Sequence, residues 1–176
     1  MDESGDEVDG IIAAWHRERP DLDVRPLEVL SRVSRLARQL DLGRRSAFRE
    51  HGLEPWEFDV LSALRRSGQP YRLSPGRLLA ETLVSSGTMT NRIDRLEANG
   101  LVERSADAHD RRGVQVTLTP VGRSRVDRAL EALLAREEAL LSGLTGDRRG
   151  ELAGMLRTLA RSIEAPVRAE RPGATS

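Results

Sequence analysis

Side chains able to do chemistry concentrate in one stretch, residues 84–119. Ser85, Ser86, Thr88, Thr90 and Asn91 supply hydroxyl and amide groups over about two turns, with Arg95 one turn further on. Short hydroxyls and amides reach base edges or phosphate oxygens, and an arginine at that distance suits phosphate. Downstream, Asp107-Ala108-His109-Asp110-Arg111-Arg112-Gly113 is polar and closed by a glycine, as a hairpin tip should be. Arg72 and Arg77, just upstream, can hold a sugar–phosphate backbone. The shared chemistry is recognition of double-stranded DNA.

The elements that must position these groups follow from spacing. Met89, Ile93 and Leu96 fall at i, i+4 and i+7, one face of a helix. Ser85 or Ser86 can cap its first turn, and Asn99-Gly100 supplies the left-handed residue that ends it. Leu101-Val102 and Val114-Gln115-Val116-Thr117-Leu118 have strand character, the second with period-2 alternation. A helix with small hydroxyls outward, followed by an arginine-tipped hairpin, suits a major groove flanked by phosphates. The expected fold is mainly α with a small β-hairpin wing: a winged helix-turn-helix.

Elsewhere, Val8, Ile11, Ile12 and Trp15 predict a short amphipathic helix ending before Pro20. Pro26 opens a helix bearing Leu27, Leu30, Val33, Ala37 and Leu40, with Gly43 expected to bend or interrupt it. Pro55 starts the next helix, carrying Phe58, Leu61 and Leu64. Tyr71-Arg72-Leu73 suggests a short strand for the wing sheet. Ser74-Pro75 begins the helix of Leu78, Leu79 and Leu83, the first of the helix-turn-helix pair. Thr119-Pro120 repeats that signal ahead of a long leucine-rich helix. Gly143 and Gly146 break the pattern, and Leu152, Met155, Leu156, Leu159 and Ile163 form a last stripe. Two terminal helices with such wide apolar faces call for a second copy of the chain. The expected divisions are an acidic tail at 1–9, N-terminal helices at 10–52, and the DNA-binding lobe at 53–119. Dimerisation helices at 120–164 and a Pro/Gly/Ala/Ser-rich tail at 165–176 complete it.

Composition narrows the class. The 176 residues carry 28 basic and 28 acidic groups, so net charge is zero. Charge is nonetheless uneven: residues 61–95 hold six arginines against Glu81 and Asp94. There is no cysteine, hence no disulfide, thiolate metal site or thiol redox switch. No apolar run approaches about 18 residues and the acidic start is unlike a signal peptide, so no membrane is expected and the location is read as cytoplasmic. His16, His51 and His109 include no pair at metal spacing, and neither metal nor cofactor is expected. No phosphate loop, Ser/His/Asp order or paired-acid pocket points to an enzyme.

The run Gly87-Thr88-Met89-Thr90-Asn91-Arg92-Ile93-Asp94-Arg95-Leu96-Glu97, then Gly100-Leu101-Val102, Asp110-Arg111-Arg112 and Leu118-Thr119-Pro120-Val121-Gly122, resembles the MarR family of bacterial transcription regulators. The likeness covers roughly residues 30–163. It implies a homodimer through the N- and C-terminal helices, a pseudo-palindromic operator, and repression. It also aligns the family's wing motif with Asp110, Arg111 and Arg112. There an arginine, here Arg112, enters the narrow minor groove while the aspartate orients its guanidinium. Most such chains start near what is here residue 27, so the helix of Trp15 is an addition.

Four positions, Trp15, Asp59, Arg92 and Arg104, further resemble the signature of the urate-responsive subgroup. Arg92 neighbours Met89 and Leu96 on the helical wheel and should point partly inward, with Arg104 ending a strand on the same side. Two arginines flanking an aspartate offer a place to a planar anion, with the indole as a wall. The resemblance implies a small anionic effector, urate, that competes with the aspartate and shifts the recognition helix. An Asp59–Arg92 ion pair that only fixes the helix, or a response to phenolic, aromatic or tricarboxylic acids, are the alternatives. From another class, the same lobe could be a winged-helix protein-interaction module.

Overall fold

A computed structural model describes residues 5–82, 85–107 and 113–164. The described chain forms two compact units, divided in sequence between Leu134 and Ala135. The first begins with α1 (Glu7–Glu18) and α2 (Pro26–Glu50). Asp6 caps α1: its Oδ1 accepts from the Val8 and Asp9 amides at 2.9 and 3.1 Å, and Asp9 returns a bond to the Asp6 amide. Val8, Ile12 and Val24 bury a small apolar patch, with Leu27 against it.

Gly43 does not interrupt α2, which runs on to Glu50 with Phe48 in its tail. One interior glycine costs about 1 kcal/mol relative to alanine, which the flanking helical residues outweigh. Gly52, two residues past the helix end, has a φ of +66°, the left-handed turn glycine permits, and Leu53 N–H closes on the Phe48 carbonyl at 3.0 Å.

The winged lobe follows: α3 (Pro55–Arg66), β1 (Arg72–Leu73), α4 (Pro75–Thr82), α5 (Ser86–Ala98), β2 (Val102–Ala106), β3 (Val114–Leu118) and α6 (Pro120–Leu140). All four expected proline starts, at Pro26, Pro55, Pro75 and Pro120, open helices. The sheet is antiparallel in the order β1-β3-β2, with Arg72 opposite Thr117 and Arg104 opposite Val116. One continuous core joins the end of α2 to the lobe. Phe48 stacks on Phe58 with centroids 4.0 Å apart, and Leu61, Leu64, Leu78, Met89, Ile93, Leu96, Leu101 and Val116 are sealed around them.

The wing root is bolted to α6. Thr119 Oγ1 accepts from the Gly122 amide at 3.0 Å and lies 2.8 Å from the Gly100 carbonyl, to which it donates. A Cβ on Gly122 would stand 2.1 Å from the Leu101 carbonyl oxygen, so only glycine allows this approach.

In the second unit, the end of α6 and α7 (Gly146–Glu164) are tied by Arg149. Its guanidinium bonds both Glu138 carboxylate oxygens and the carbonyls of Leu141 and Leu144. Leu140, Met155, Leu156 and Ile163 of this unit are exposed. No helix among the described residues is long and apolar enough to cross a membrane.

Candidate nucleic-acid interface and effector site

The inner face of α5 is the expected triad: Met89, Ile93 and Leu96 are each about fully buried. That burial fixes what the rest of the helix presents. Thr88, Asn91, Arg92 and Arg95, at i, i+3, i+4 and i+7, form one stripe. Thr88, Asn91 and Arg95 are exposed, and Arg92, nearer the core, is half-buried as its place on the wheel requires. The opposite stripe carries Ser86, Thr90, Asp94 and Glu97.

Ser85 occupies the N-cap position, but its hydroxyl bonds the Thr88 hydroxyl at 2.9 Å and makes no side-chain cap. The first amides of α5 therefore keep no side-chain acceptor from the expected cap. Thr90 Oγ1 donates to the Ser86 carbonyl at 3.2 Å, a local bond within the helix. Gly100, at φ +68°, ends the helix as expected, with Leu101 N–H returning to the Leu96 carbonyl at 2.9 Å.

Around α5 stand the other sequence-selected residues. Arg72 is exposed on β1 and donates from Nε to Thr117 Oγ1 at 3.0 Å. Arg77 is exposed on α4, where Ser74 caps its backbone amide. The wing closes through the Asp107 amide and the Gly113 carbonyl, 2.9 Å apart. Asp110, Arg111 and Arg112, with His109, lie outside the described residues, as does Leu83 of the expected α4 stripe.

The four candidate effector residues are not gathered into one cluster. Asp59 lies on α3 in the field of Arg92, Arg44 and Arg66. Although its tip reaches the surface, desolvation outweighs these three cations and pushes its carboxyl above the ordinary 3.8. A depression of about 260 Å³ opens beside it, lined by Phe58, Asp59, Ser62, Arg66, Glu81 and Thr82. Arg66 reaches Glu81 across it at 3.5 Å.

Arg104 belongs to a different group. Its Nη1 bonds Glu97 at 2.7 Å, its Nη2 bonds Asp94, and its backbone amide bonds Glu97 again at 3.0 Å. The expectation of Arg104 beside Asp59 thus meets a clamp between β2 and the acidic stripe of α5. Two carboxylates one turn apart hold a guanidinium more firmly than one distant aspartate. Trp15 is about half exposed on α1 and enters neither group.

Spacing alone missed Trp56. Arg95 stands 4.8 Å and Arg92 5.4 Å from its ring centroid, within cation–π range. Arg44 and Arg66 were missed too: Arg44 is on α2, remote in sequence from Asp59, and Arg66, two turns along α3, was not singled out. A separate open groove of about 570 Å³ lies between the end of α2 and the start of α6. His51, Arg125 and Arg128 line it together with Glu50, Pro120, Val121 and Ser124.

A two-helix unit whose second helix lies against a three-stranded wing sheet defines a winged helix-turn-helix. A structure of a MarR family protein from Bacillus stearothermophilus shares this fold, with a TM-score of 0.68 at 24% identity over 81% of this chain and 99% of that one. The family model described as MarR family matches residues 51–113. The chain is 35% identical over 150 residues to the HTH-type transcriptional regulator PecS of Dickeya dadantii, spanning 85% of this chain and 90% of that protein. This chain belongs to the MarR family of transcription regulators. It is also similar to Bordetella bronchiseptica BpsR, from a structure describing regulation of DNA binding by 6-hydroxynicotinic acid. That match has a TM-score of 0.56 and 29% identity over 73% of this chain and 98% of BpsR. The relatives are transcription regulators, not enzymes.

Proposed function

We propose that this chain is a dimeric repressor that grips a pseudo-palindromic operator and lets go when a planar anion, urate, enters beside Asp59. The observation that carries it is the position of Arg92. This residue belongs to the DNA-facing helix and also lies in the field of Asp59. An anion drawn to Arg92, Arg44 and Arg66 competes with that carboxylate for the same cations, and its binding energy is spent on moving α5. Desolvation also pushes the Asp59 carboxyl above its ordinary value, against the pull of those cations. Trp15 and Arg104 complete the effector set only once α1 and the β2 clamp rearrange.

On the DNA side, Ser85, Ser86, Thr88, Thr90 and Asn91 meet base edges or phosphates. Arg95, Arg72 and Arg77 meet phosphate, and the wing motif Asp110-Arg111-Arg112 serves the minor groove. The exposed apolar residues Val29, Leu30 and Leu36 of α2 and, separately, Met155, Leu156 and Ile163 of α7 would each be covered by a second copy of the chain. Two-fold symmetry then asks for half-sites about 10 base pairs apart.

A second reading, release by a heterocyclic or phenolic acid, is favoured by the likeness to BpsR and by the groove of His51, Arg125 and Arg128. A gel shift on DNA from the protein's own upstream region separates the two. Urate dissolving the wild-type complex but sparing that of Asp59→Asn supports the first. Dissolution by 6-hydroxynicotinate alone, unaltered in Asp59→Asn, supports the second.

A further inference from the structure

We propose that Trp56 is a positioning residue for DNA binding: its indole holds Arg92 and Arg95 in place while leaving their charge free for duplex phosphates. Trp56 is half-buried in the first turn of α3. The i, i+3 spacing on α5 brings both guanidinium groups within 5.4 Å of this one ring.

What matters is the kind of partner. A carboxylate would fix an arginine equally well, but it would cancel the charge and occupy the N–H fork that a phosphate needs. An aromatic face meets the flat side of the guanidinium and leaves the in-plane donors open. Among the described residues, neither Arg92 nor Arg95 is in a carboxylate salt bridge, whereas Arg104, across the same helix, is in two. Around α5 the arginines thus differ by partner: Arg104 is neutralised for architecture, whereas Arg92 and Arg95 are held but still cationic. Ordering long side chains before DNA arrives also removes part of the entropy cost of the contact. This rests on the reading that α5 faces DNA.

The test uses the full chain and a short mixed-sequence duplex at low salt, because phosphate contacts do not depend on sequence. Trp56→Leu and Trp56→Phe keep apolar bulk, but only phenylalanine keeps a π face. Trp56→Leu should weaken binding about five- to tenfold with the salt slope retained, and Trp56→Phe should recover most of that loss. Equal binding by the two variants, at wild-type strength or equally weakened, overturns the proposal. A readout independent of folding variants is the wild-type proton spectrum. The Arg92 and Arg95 δ-methylene resonances should lie upfield from the indole ring current, and ordinary shifts there would refute the platform. No duplex binding by the wild type would instead sink the DNA reading of α5, leaving those resonances to decide the platform.

Discussion

The winged lobe and the α1–α2 hairpin hold together by opposite means. In the lobe, apolar side chains from Ala47 to Leu133 form one sealed cluster, and its wing is set by a backbone-to-backbone approach at Gly122. Against α2, helix α1 buries Val8 and Ile12 with Val24 of the connecting loop and Leu27 beside them, and adds carboxylate–arginine pairs in water. Arg32 bonds Asp6 and Asp9 at 2.8 and 2.7 Å, and Arg35 bonds Glu7 at 2.7 Å. Dry packing is insensitive to salt and cooperative, whereas exposed ion pairs are weak and screened. The lobe should therefore melt as one body, and α1 should come away alone. Trp15, the proposed effector wall, sits on the part most easily detached.

The largest expected effect breaks the dry side. Gly122→Ala drives a Cβ to 2.1 Å from the Leu101 oxygen and 3.0 Å from Leu118 Cδ1, where backbone cannot yield. The cost should be about 3 kcal/mol or more, a fall of roughly 6–12 °C in the calorimetric midpoint. A midpoint within about 2 °C of wild type would mean that the wing and α6 are not tightly joined. Next comes the Arg104 clamp. Arg104→Ala leaves Asp94 and Glu97 unpaired on the helix proposed to face DNA. It should cost about 1 kcal/mol of stability but weaken duplex binding about tenfold, more at low salt. Unchanged duplex binding with a lost response to urate would return Arg104 to the effector set and remove the clamp from the DNA account.

These contrasts also explain what could be read in advance. Periodicity found the buried triad Met89, Ile93 and Leu96, and the proline starts and Asn99-Gly100 stop were visible because caps are local chemistry. Gly43 does not interrupt its helix because a glycine's cost is small against twenty-five helical residues. The partners of the arginines were illegible for a different reason. Trp56 meets Arg92 and Arg95, and Asp59 meets Arg44, only after three helices have packed. Asp94 and Glu97 meet Arg104 only because β2 runs back along α5. Sequence could nominate Arg92 and Arg104 as a pair; it could not see that each had a better-placed neighbour.

Two smaller effects sharpen the other side of the comparison. Val8→Ala thins an apolar patch that has no reserve. Amide exchange in α1 should accelerate markedly while the midpoint of the lobe stays within about 1 °C. A matching fall in both would show that α1 is part of the lobe's cooperative unit.

The mildest perturbation is acid. Hydrogen bonding to Arg32, aided by the Asp9 and Val8 amides and opposed by desolvation, holds the Asp6 carboxyl at about 2, below its ordinary 3.8. A carboxyl lowered in the folded state contributes stability above its unfolded value and loses it as pH falls through the folded one. The hairpin should accordingly be intact near neutrality and loosen between about pH 4 and pH 2. In NMR spectra the amides of Gly10 and Ala13 should lose dispersion over that window before those of Ile93 and Val116. Asp6→Asn should loosen α1 already at neutral pH, since an amide cannot pair with Arg32 as an anion does. If Asp6→Asn left α1 as firmly docked as the wild type, the ion pairs would be ornament and the three buried side chains alone would hold the helix.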